Sequence, residues 1–200
     1  MKEILIATGN EGKKQELLDF FQTLSFKFLS LRDFDSLKEP EETGQNFEEN
    51  ALLKARYYGK KLKISALGED SGLILSAYPD KFGLRTRREI AAKNDEAWLE
   101  QFLHLLQDQP NRQATFYSAI AFFDPQTQTE KVFLGQTSGV ITQHPQAKLE
   151  PGIPVSAVFI PSGHHQVFSS MSKKQKNQVS HRGKSARQMD AFLRQFDWKK

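Results

Sequence analysis

The stretch Ile4-Leu5-Ile6-Ala7-Thr8-Gly9-Asn10-Glu11-Gly12-Lys13 constrains the fold of this chain more than any other segment. A short apolar run ends in a small polar turn with two glycines. An amphipathic segment bearing Leu17, Leu18, Phe20, Phe21 and Leu24 follows at once. That order predicts strand, loop and helix, the opening of an α/β protein. Backbone N–H groups in such a loop, and at the helix N-terminus behind it, lack partners and attract phosphate oxygens. Gly9 and Gly12 permit positive φ and close backbone approach, and Lys13 adds a mobile positive charge. The stretch points to a phosphorylated ligand, although strand–glycine–helix junctions that bind nothing are common. It is not a Walker A loop, because Lys14 follows Lys13 where Ser or Thr belongs. It is not a Rossmann fingerprint either, because the third glycine and its spacing are missing.

Two hundred residues suit one domain, 1–200, with a sizeable core. The chain has no cysteine, which excludes disulfides, thiolate zinc sites and thiol catalysis. No signal-like segment or long apolar span is present, so a cytoplasmic protein without membrane contact is expected. The net charge of +4 hides an asymmetry. Residues 172–200 hold nine Lys or Arg against two Asp, which leaves the rest of the chain mildly acidic. A basic segment on an acidic body fits a polyphosphate or a nucleic acid, and also an ordinary solvated helix.

Further along, residues 26–31 read as a second strand and residues 32–45 as a loop. Asn46 then precedes a helix with Phe47, Ala51, Ala55, Tyr58 and Leu62 at helical spacing, and Asn46 with Glu49 resembles a capping box. Lys54 and Asn50 fall beside that apolar face. Residues 64–67 and 73–76 look like strand pieces separated by Gly68-Glu69-Asp70-Ser71-Gly72. Residues 78–95 show no clear period, and 96–106 read as a helix. Residues 114–123, 131–134 and 139–142 make the most hairpin-like part, around the turn at Asp124-Pro125-Gln126. A strand is expected over 155–160. Ser180 is placed to cap a last helix carrying Ala186, Met189, Leu193 and Phe196 on one face.

Three clusters carry chemistry. Glu69-Asp70 are adjacent carboxylates, costly near a core without a partner; Mg²⁺ is a natural one, and an ordinary acidic turn is the alternative. Glu41 and Glu42 add possible ligands. Ser180-His181-Arg182-Gly183 puts a histidine and an arginine at a helix start, which suits an anion or a base edge.

Thr8-Gly9-Asn10 with Lys13, Glu42-Thr43-Gly44 with Phe47, Glu49-Asn50-Ala51 and Lys54-Ala55, Asp70-Ser71-Gly72-Leu73, and Ser180-His181-Arg182-Gly183 occur in that order. In order and spacing they resemble the inosine triphosphate pyrophosphatase family, whose members hydrolyse nonstandard purine nucleoside triphosphates such as ITP, dITP and XTP. The resemblance spans nearly the whole chain. It implies an elongated mixed α/β sheet with flanking helices, two lobes around a central cleft, and a homodimer. It also implies Mg²⁺-dependent hydrolysis of a nucleoside triphosphate to nucleoside monophosphate and pyrophosphate. By the same resemblance, Thr8, Gly9, Asn10, Glu11, Gly12 and Lys13 hold the triphosphate and Lys54 contacts phosphate. Glu42, Glu69 and Asp70 associate with the metal, and Asp70 activates water. Ser71 belongs to the Asp70 motif on the substrate side, and Lys176, His181 and Arg182 face phosphate or base.

Two stretches depart from the family pattern. Where Gly-Phe-Gly-Tyr-Asp-Pro is usual, this chain has Gly152-Ile153-Pro154-Val155-Ser156-Ala157. Where a Gly-rich run ends in Tyr-Ser-Ala-Arg, it has Phe82-Gly83-Leu84-Arg85-Thr86-Arg87. The stacking aromatics and the carboxylate are gone, which predicts pyrophosphohydrolase chemistry with altered or relaxed base choice. Phe168, His164 and His165 are candidate replacement platforms. The competing reading is a catalytically degenerate member that binds nucleotide or RNA through its basic C-terminal segment; retention of Glu42, Glu69, Asp70 and Lys54 together argues for the enzyme.

Overall fold

The structure is a computed structural model that describes residues 1–34 and 37–198. Asp35 and Ser36 of the expected loop, and Lys199 and Lys200 of the basic segment, lie outside them. Strands β1 (Glu3–Ala7), β2 (Lys27–Ser30), β3 (Ser65–Leu75), β4 (Tyr78–Gly83), β5 (Gln113–Asp124), β6 (Thr129–Ile141) and β7 (Phe159–Pro161) form one mixed sheet. Its order is β2-β1-β3-β5-β6-β7, with β4 paired to β3. The pairs β1·β2 and β1·β3 are parallel and the others antiparallel. Helices α1 (Glu11–Phe21), α2 (Phe47–Leu62), α3 (Asp95–Leu105), α4 (Lys173–Val179) and α5 (His181–Gln195) flank it. No helix among the described residues is long and apolar enough to cross a membrane.

Alternation along β3 and β5 sends side chains to two faces. Leu67, Ile120 and Phe122 pack with Leu17, Phe21, Met189 and Leu193 of α1 and α5. Ala119, Ala121 and Phe123 pack instead with Phe47, Ala51 and Ala55 of α2. A further core, with Trp98 and Phe102 of α3, Phe82, Phe159 and Phe168, covers the far end of β3.

The two glycines around Glu69-Asp70 do not make a turn. They sit inside one continuous strand, where a Cβ at Gly68 would collide with the Ala51 carbonyl of α2. A Cβ at Gly72 would collide with the Gly83 carbonyl and the Phe47 ring. Glycine in a strand here marks close approach, and small residues Ala51 and Ala55 complete the tight seat of α2. Helix α2 is capped as expected, with the Asn46 side chain accepting from Glu49 N at 2.8 Å. The return bond of the box goes to Gln45 N, one residue before the expected Asn46 N. Residues 155–160, expected as a strand, divide into a 3-10 turn (Pro154–Ala157) and β7, because Pro154 opens the turn. Strand β6 is one long element where two pieces were expected, and β4 occupies part of the stretch without visible period.

Candidate active site

The sheet itself opens the site. Strand β1 pairs with β3 only as far as Ala7 opposite Gly68, and β4 begins to pair at Leu73. Between them residues 69–72 keep β5 on one side and face a cleft on the other. The loop after β1 and the first turn of α1 border that gap.

Adjacent strand residues point to opposite faces, so Glu69 and Asp70 have different surroundings. Asp70 turns toward α2 and is 6% exposed. Lys54 Nζ donates to its Oδ1 at 3.1 Å, and Asn50 Nδ2 to its Oδ2 at 3.4 Å. Asn50 Oδ1 also accepts from Gly44 N at 2.8 Å, which ties the 42–44 loop to this helix. Burial raises the Asp70 carboxyl above the usual carboxylate range, helped by Glu69 and Glu42 and opposed by Lys54 and Lys13. Such a carboxylate is a better base than an exposed one.

Glu69 turns toward α1 and α5. Its Oε2 lies 3.1 Å from Lys13 Nζ, and its Oε1 accepts from Arg182 Nε at 3.2 Å and Ser118 Oγ at 3.3 Å. Burial pushes this carboxyl up, and Lys13, Arg182 and Lys54 together outweigh it and hold it well below the usual range. Arg182 also bonds Glu16, and its NH2 donates to Ser71 Oγ at 3.0 Å. Lys176 is buried between Glu16 at 2.6 Å and Glu150 at 2.9 Å. His181 stacks on Phe116 with centroids 4.6 Å apart, and its Nδ1 has no partner among the described residues. Burial, then Arg182, keeps its imidazole neutral.

Two neighbouring cavities with shared walls lie in the cleft. The polar one, about 310 Å³, is lined by Thr8, Gly9, Glu42, Lys54, Tyr58 and Asp70 among others. The more apolar one, about 150 Å³, is lined by Trp98, Phe116, Ile153, Val155, Phe168 and His181 among others. Asn10, Lys13, Ser71, Thr86 and Arg87 line both. Asn10 caps α1, accepting from Lys13 N at 3.0 Å, and donates to the Gly152 carbonyl at 2.9 Å.

Several expectations need correction. Gly9 and Gly12 use no positive φ, which glycine shows only at Gly83, Gly152 and Gly163 among the described residues. They serve close approach: a Cβ at Gly9 would meet the Glu39 carboxylate, and one at Gly12 the Pro151 carbonyl. Gly12 and Glu11 do not line the cleft, and Glu11 pairs with Lys14 and Arg32 at the surface. Glu41 is exposed and lines neither cavity. His164 and His165 border a separate surface hollow, while Phe168 does line the apolar cavity.

Glu42, Glu69 and Asp70 are not gathered as one ligand set; no group of three His, Cys, Asp or Glu among the described residues is. The alternation of β3 explains this, because it sends the Glu69 carboxylate away from Asp70. A cation cradle exists nonetheless. Lys54 Nζ bonds Glu42, Asp70 Oδ1 and, at 3.2 Å, the Glu69 carbonyl oxygen. Three hard oxygens around a positive charge match the donors that Mg²⁺ takes, with the ammonium standing in for the ion.

Glu16, Glu39, Thr86, Arg87 and Trp98 also border the cleft, without a motif to announce them. Glu16 had a signal: it falls three residues after Lys13, on the same helix face. Arg87 packs its guanidinium 5.4 Å from the Trp98 ring centroid and pairs with Asp95 at 2.7 Å. Asp95 also accepts from Gly152 N at 2.6 Å.

Fold and cleft define a mixed α/β protein whose ion-paired gap in the sheet is polar at one end and apolar at the other. Residues 4–192 match the Ham1 family, and the chain belongs to it. The dITP/XTP pyrophosphatase of Bacillus cereus is 34% identical over 95% of this chain and 94% of its own length. That of Aquifex aeolicus is 35% identical over 96% of each. Among solved structures, a HAM1 protein from Coxiella burnetii superposes with a TM-score of 0.82 at 29% identity, covering 98% of this chain and all of that one. The Staphylococcus aureus Ham1 protein gives 0.80 at 31% identity, over 97% of this chain and 99% of its own. The resemblance read from the four motifs, and the fold it implied, are borne out.

Proposed function

We propose that this protein hydrolyses nonstandard purine nucleoside triphosphates to nucleoside monophosphate and pyrophosphate, clearing them from the nucleotide pool. One observation carries the reading: Asp70, buried with raised proton affinity, lines the polar cavity next to Ser71, which lines both that cavity and the apolar one. Relatives named dITP/XTP pyrophosphatase, aligned over nearly the whole chain, support it.

In this reading the triphosphate lies in the polar cavity along Thr8, Gly9 and Asn10, with Lys13 and Lys54 opposing its charge. The base enters the apolar cavity, where the neutral His181 and Arg182 meet its edge. Asp70 takes a proton from water as the water oxygen bonds to the α-phosphorus; the bond from that phosphorus to the bridging oxygen breaks, and pyrophosphate leaves with the electron pair. Glu42 and Asp70, with the Glu69 carbonyl, would hold Mg²⁺; the Glu69 carboxylate would join only on leaving Lys13 or Arg182. Bound Mg²⁺ neutralises phosphate charge and acidifies water. Ser71 shapes the junction by fixing Arg182, and Lys176 shapes the apolar cavity by bridging Glu16 to Glu150.

The base end differs in chemistry from the family pattern. Ile153, Val155 and Ser156 line it where aromatics and a carboxylate are usual, so base choice is altered. The same reading takes the chain as one two-lobed domain working as a cytoplasmic homodimer. The nucleic-acid alternative is not favoured, because much of the basic C-terminal segment is spent locally. Lys176 and Arg182 are buried, Arg187 donates to the Asn177 and Gln178 carbonyls, and Arg194 pairs with Asp190. Pyrophosphate release over a panel of nucleoside triphosphates with Mg²⁺ tests the proposal. Release from ITP, dITP or XTP is expected; none from any triphosphate would refute it.

A further inference from the structure

Lys54 reaches from α2 to β3 and spends its three N–H donors on three oxygens. One belongs to the Glu42 carboxylate, one is Asp70 Oδ1 at 3.1 Å, and one is the Glu69 carbonyl oxygen at 3.2 Å. In that position the ammonium has no N–H left to offer a phosphate. The same three oxygens are the hard donors that fit Mg²⁺. Holding phosphate and seating the metal therefore fall on one crowded spot, and both can be done only if Lys54 moves.

The three oxygens are kept in place by other groups. Arg88 bonds the second oxygen of Glu42. Asn50 Nδ2 donates to Asp70 Oδ2 at 3.4 Å, and Asn50 is itself fixed by Gly44 N. The Glu69 carbonyl belongs to β3, which pairs with β5 over residues 66–75. Lys54, by contrast, is a point charge on a flexible four-carbon stem. Its departure would leave the seat standing but its carboxylates short of a cation, which is costly in a buried place unless another cation arrives. Thr8, Gly9 and Asn10 line the same polar cavity as Lys54, so the destination of a moving ammonium is close by.

We propose that Lys54 is a placeholder cation: its ammonium and Mg²⁺ exclude each other at the seat made by Glu42, Asp70 and the Glu69 carbonyl, and Lys54 leaves for the phosphates as the metal enters. This rests on the triphosphate and metal placements proposed above. Without substrate, Lys54 keeps both carboxylates paired, and free Mg²⁺ has to displace it. A triphosphate removes that obstacle, because its oxygens accept the N–H groups that the carboxylates give up. Metal and substrate thus strengthen each other's binding, by the same factor in either order.

Calorimetric binding of Mg²⁺ to the whole chain, without nucleotide, tests the exclusion. Lys54→Met keeps most of the stem and removes the charge. It should bind Mg²⁺ about tenfold tighter than wild type, roughly the worth of one charge-assisted hydrogen bond no longer in the way. Added Mg²⁺ should also raise its melting temperature more than that of wild type. Two controls should stay within about threefold of the wild-type affinity: Lys54→Arg, which keeps a cation, and Lys60→Met, which removes an equal charge from the exposed side of the same helix. Should Lys54→Met fail to fold, Lys54→Gln, which leaves a neutral donor, answers the same question in the same direction. A gain below about threefold in the uncharged variant overturns the proposal. An equal gain in either control overturns it too, as does Mg²⁺ binding by none of the proteins. A wild type that hydrolyses no nucleoside triphosphate ends the enzymatic reading, while the Mg²⁺ comparison, which contains no nucleotide, still decides this one.

Discussion

The two ends of the cleft are built from different materials. The polar end rests on charge pairs anchored in β3, α1, α2 and α5, each acid matched to a lysine or arginine. The apolar end rests on aromatic packing and on a loop at residues 150–153, held by Asn10, Asp95 and Lys176. Charges must be matched atom by atom, because an unpaired buried ion costs several kcal/mol. An apolar wall tolerates exchange of one hydrophobe for another at far lower cost. That contrast explains why the motifs around Thr8, Glu42 and Asp70 persist at the polar end while Ile153 and Val155 line the other.

The largest expected effect lies at the polar end. Asp70→Asn keeps the shape of the side chain and removes its ability to accept a proton, so turnover should fall by about 10²–10⁴-fold. Circular dichroism and melting should show an intact fold; near-normal turnover would end the assignment of the base. The pH profile of the wild type carries the same point. A base works ionised, and burial raises the Asp70 carboxyl, so activity is lost as pH falls through that raised value. The acid limb of kcat/KM should therefore lie above the range of an exposed carboxylate, and a limb at or below it would contradict the burial argument.

Next in size is a change that separates structure from chemistry. Arg182 is 4% exposed and meets Glu69, Glu16 and Ser71 at once. Arg182→Met leaves two buried carboxylates without that partner and should destabilise the protein by about 3–5 kcal/mol, read from urea unfolding. A loss below about 1 kcal/mol would mean that water reaches these groups, and the buried charge pairs would then be no more demanding than the apolar wall.

Much of this division was legible in the chain. The residues 4–13 stretch, the Asn46 cap and the Ser180 cap mark element starts by local chemistry alone, and the structure keeps all three. Glu69-Asp70 misled because glycines on both sides mimic a turn. Whether such glycines bend the chain or admit a helix depends on Ala51 and Phe47, which are distant in sequence. The opposite facing of the two carboxylates was hidden for the same reason, since it follows only once residues 65–75 are one strand. Arg87, Trp98 and Asp95 were invisible because their meeting depends on how α3 packs beneath the Gly152 loop, and no spacing encodes it.

The smallest effect is expected where the chain differs most from the family pattern. Ser156 lies in the 3-10 turn before β7, is buried, and lines the apolar cavity in place of the usual carboxylate. Its hydroxyl can donate or accept, so it distinguishes poorly between bases with amino or oxo edges. A carboxylate only accepts, and in an apolar wall it would favour a base offering N–H groups and reject one offering lone pairs. Ser156→Asp should therefore change the ratio of kcat/KM between ITP and ATP by about tenfold, roughly one hydrogen bond to a charged group. Turnover on the better substrate should stay within about threefold, because Asp70, Lys54 and Lys13 are untouched. A changed ratio with constant turnover would show that the two ends of the cleft act independently. Equal losses on both substrates would show instead that the Gly152 loop, through Asn10, controls the placement of the phosphates as well.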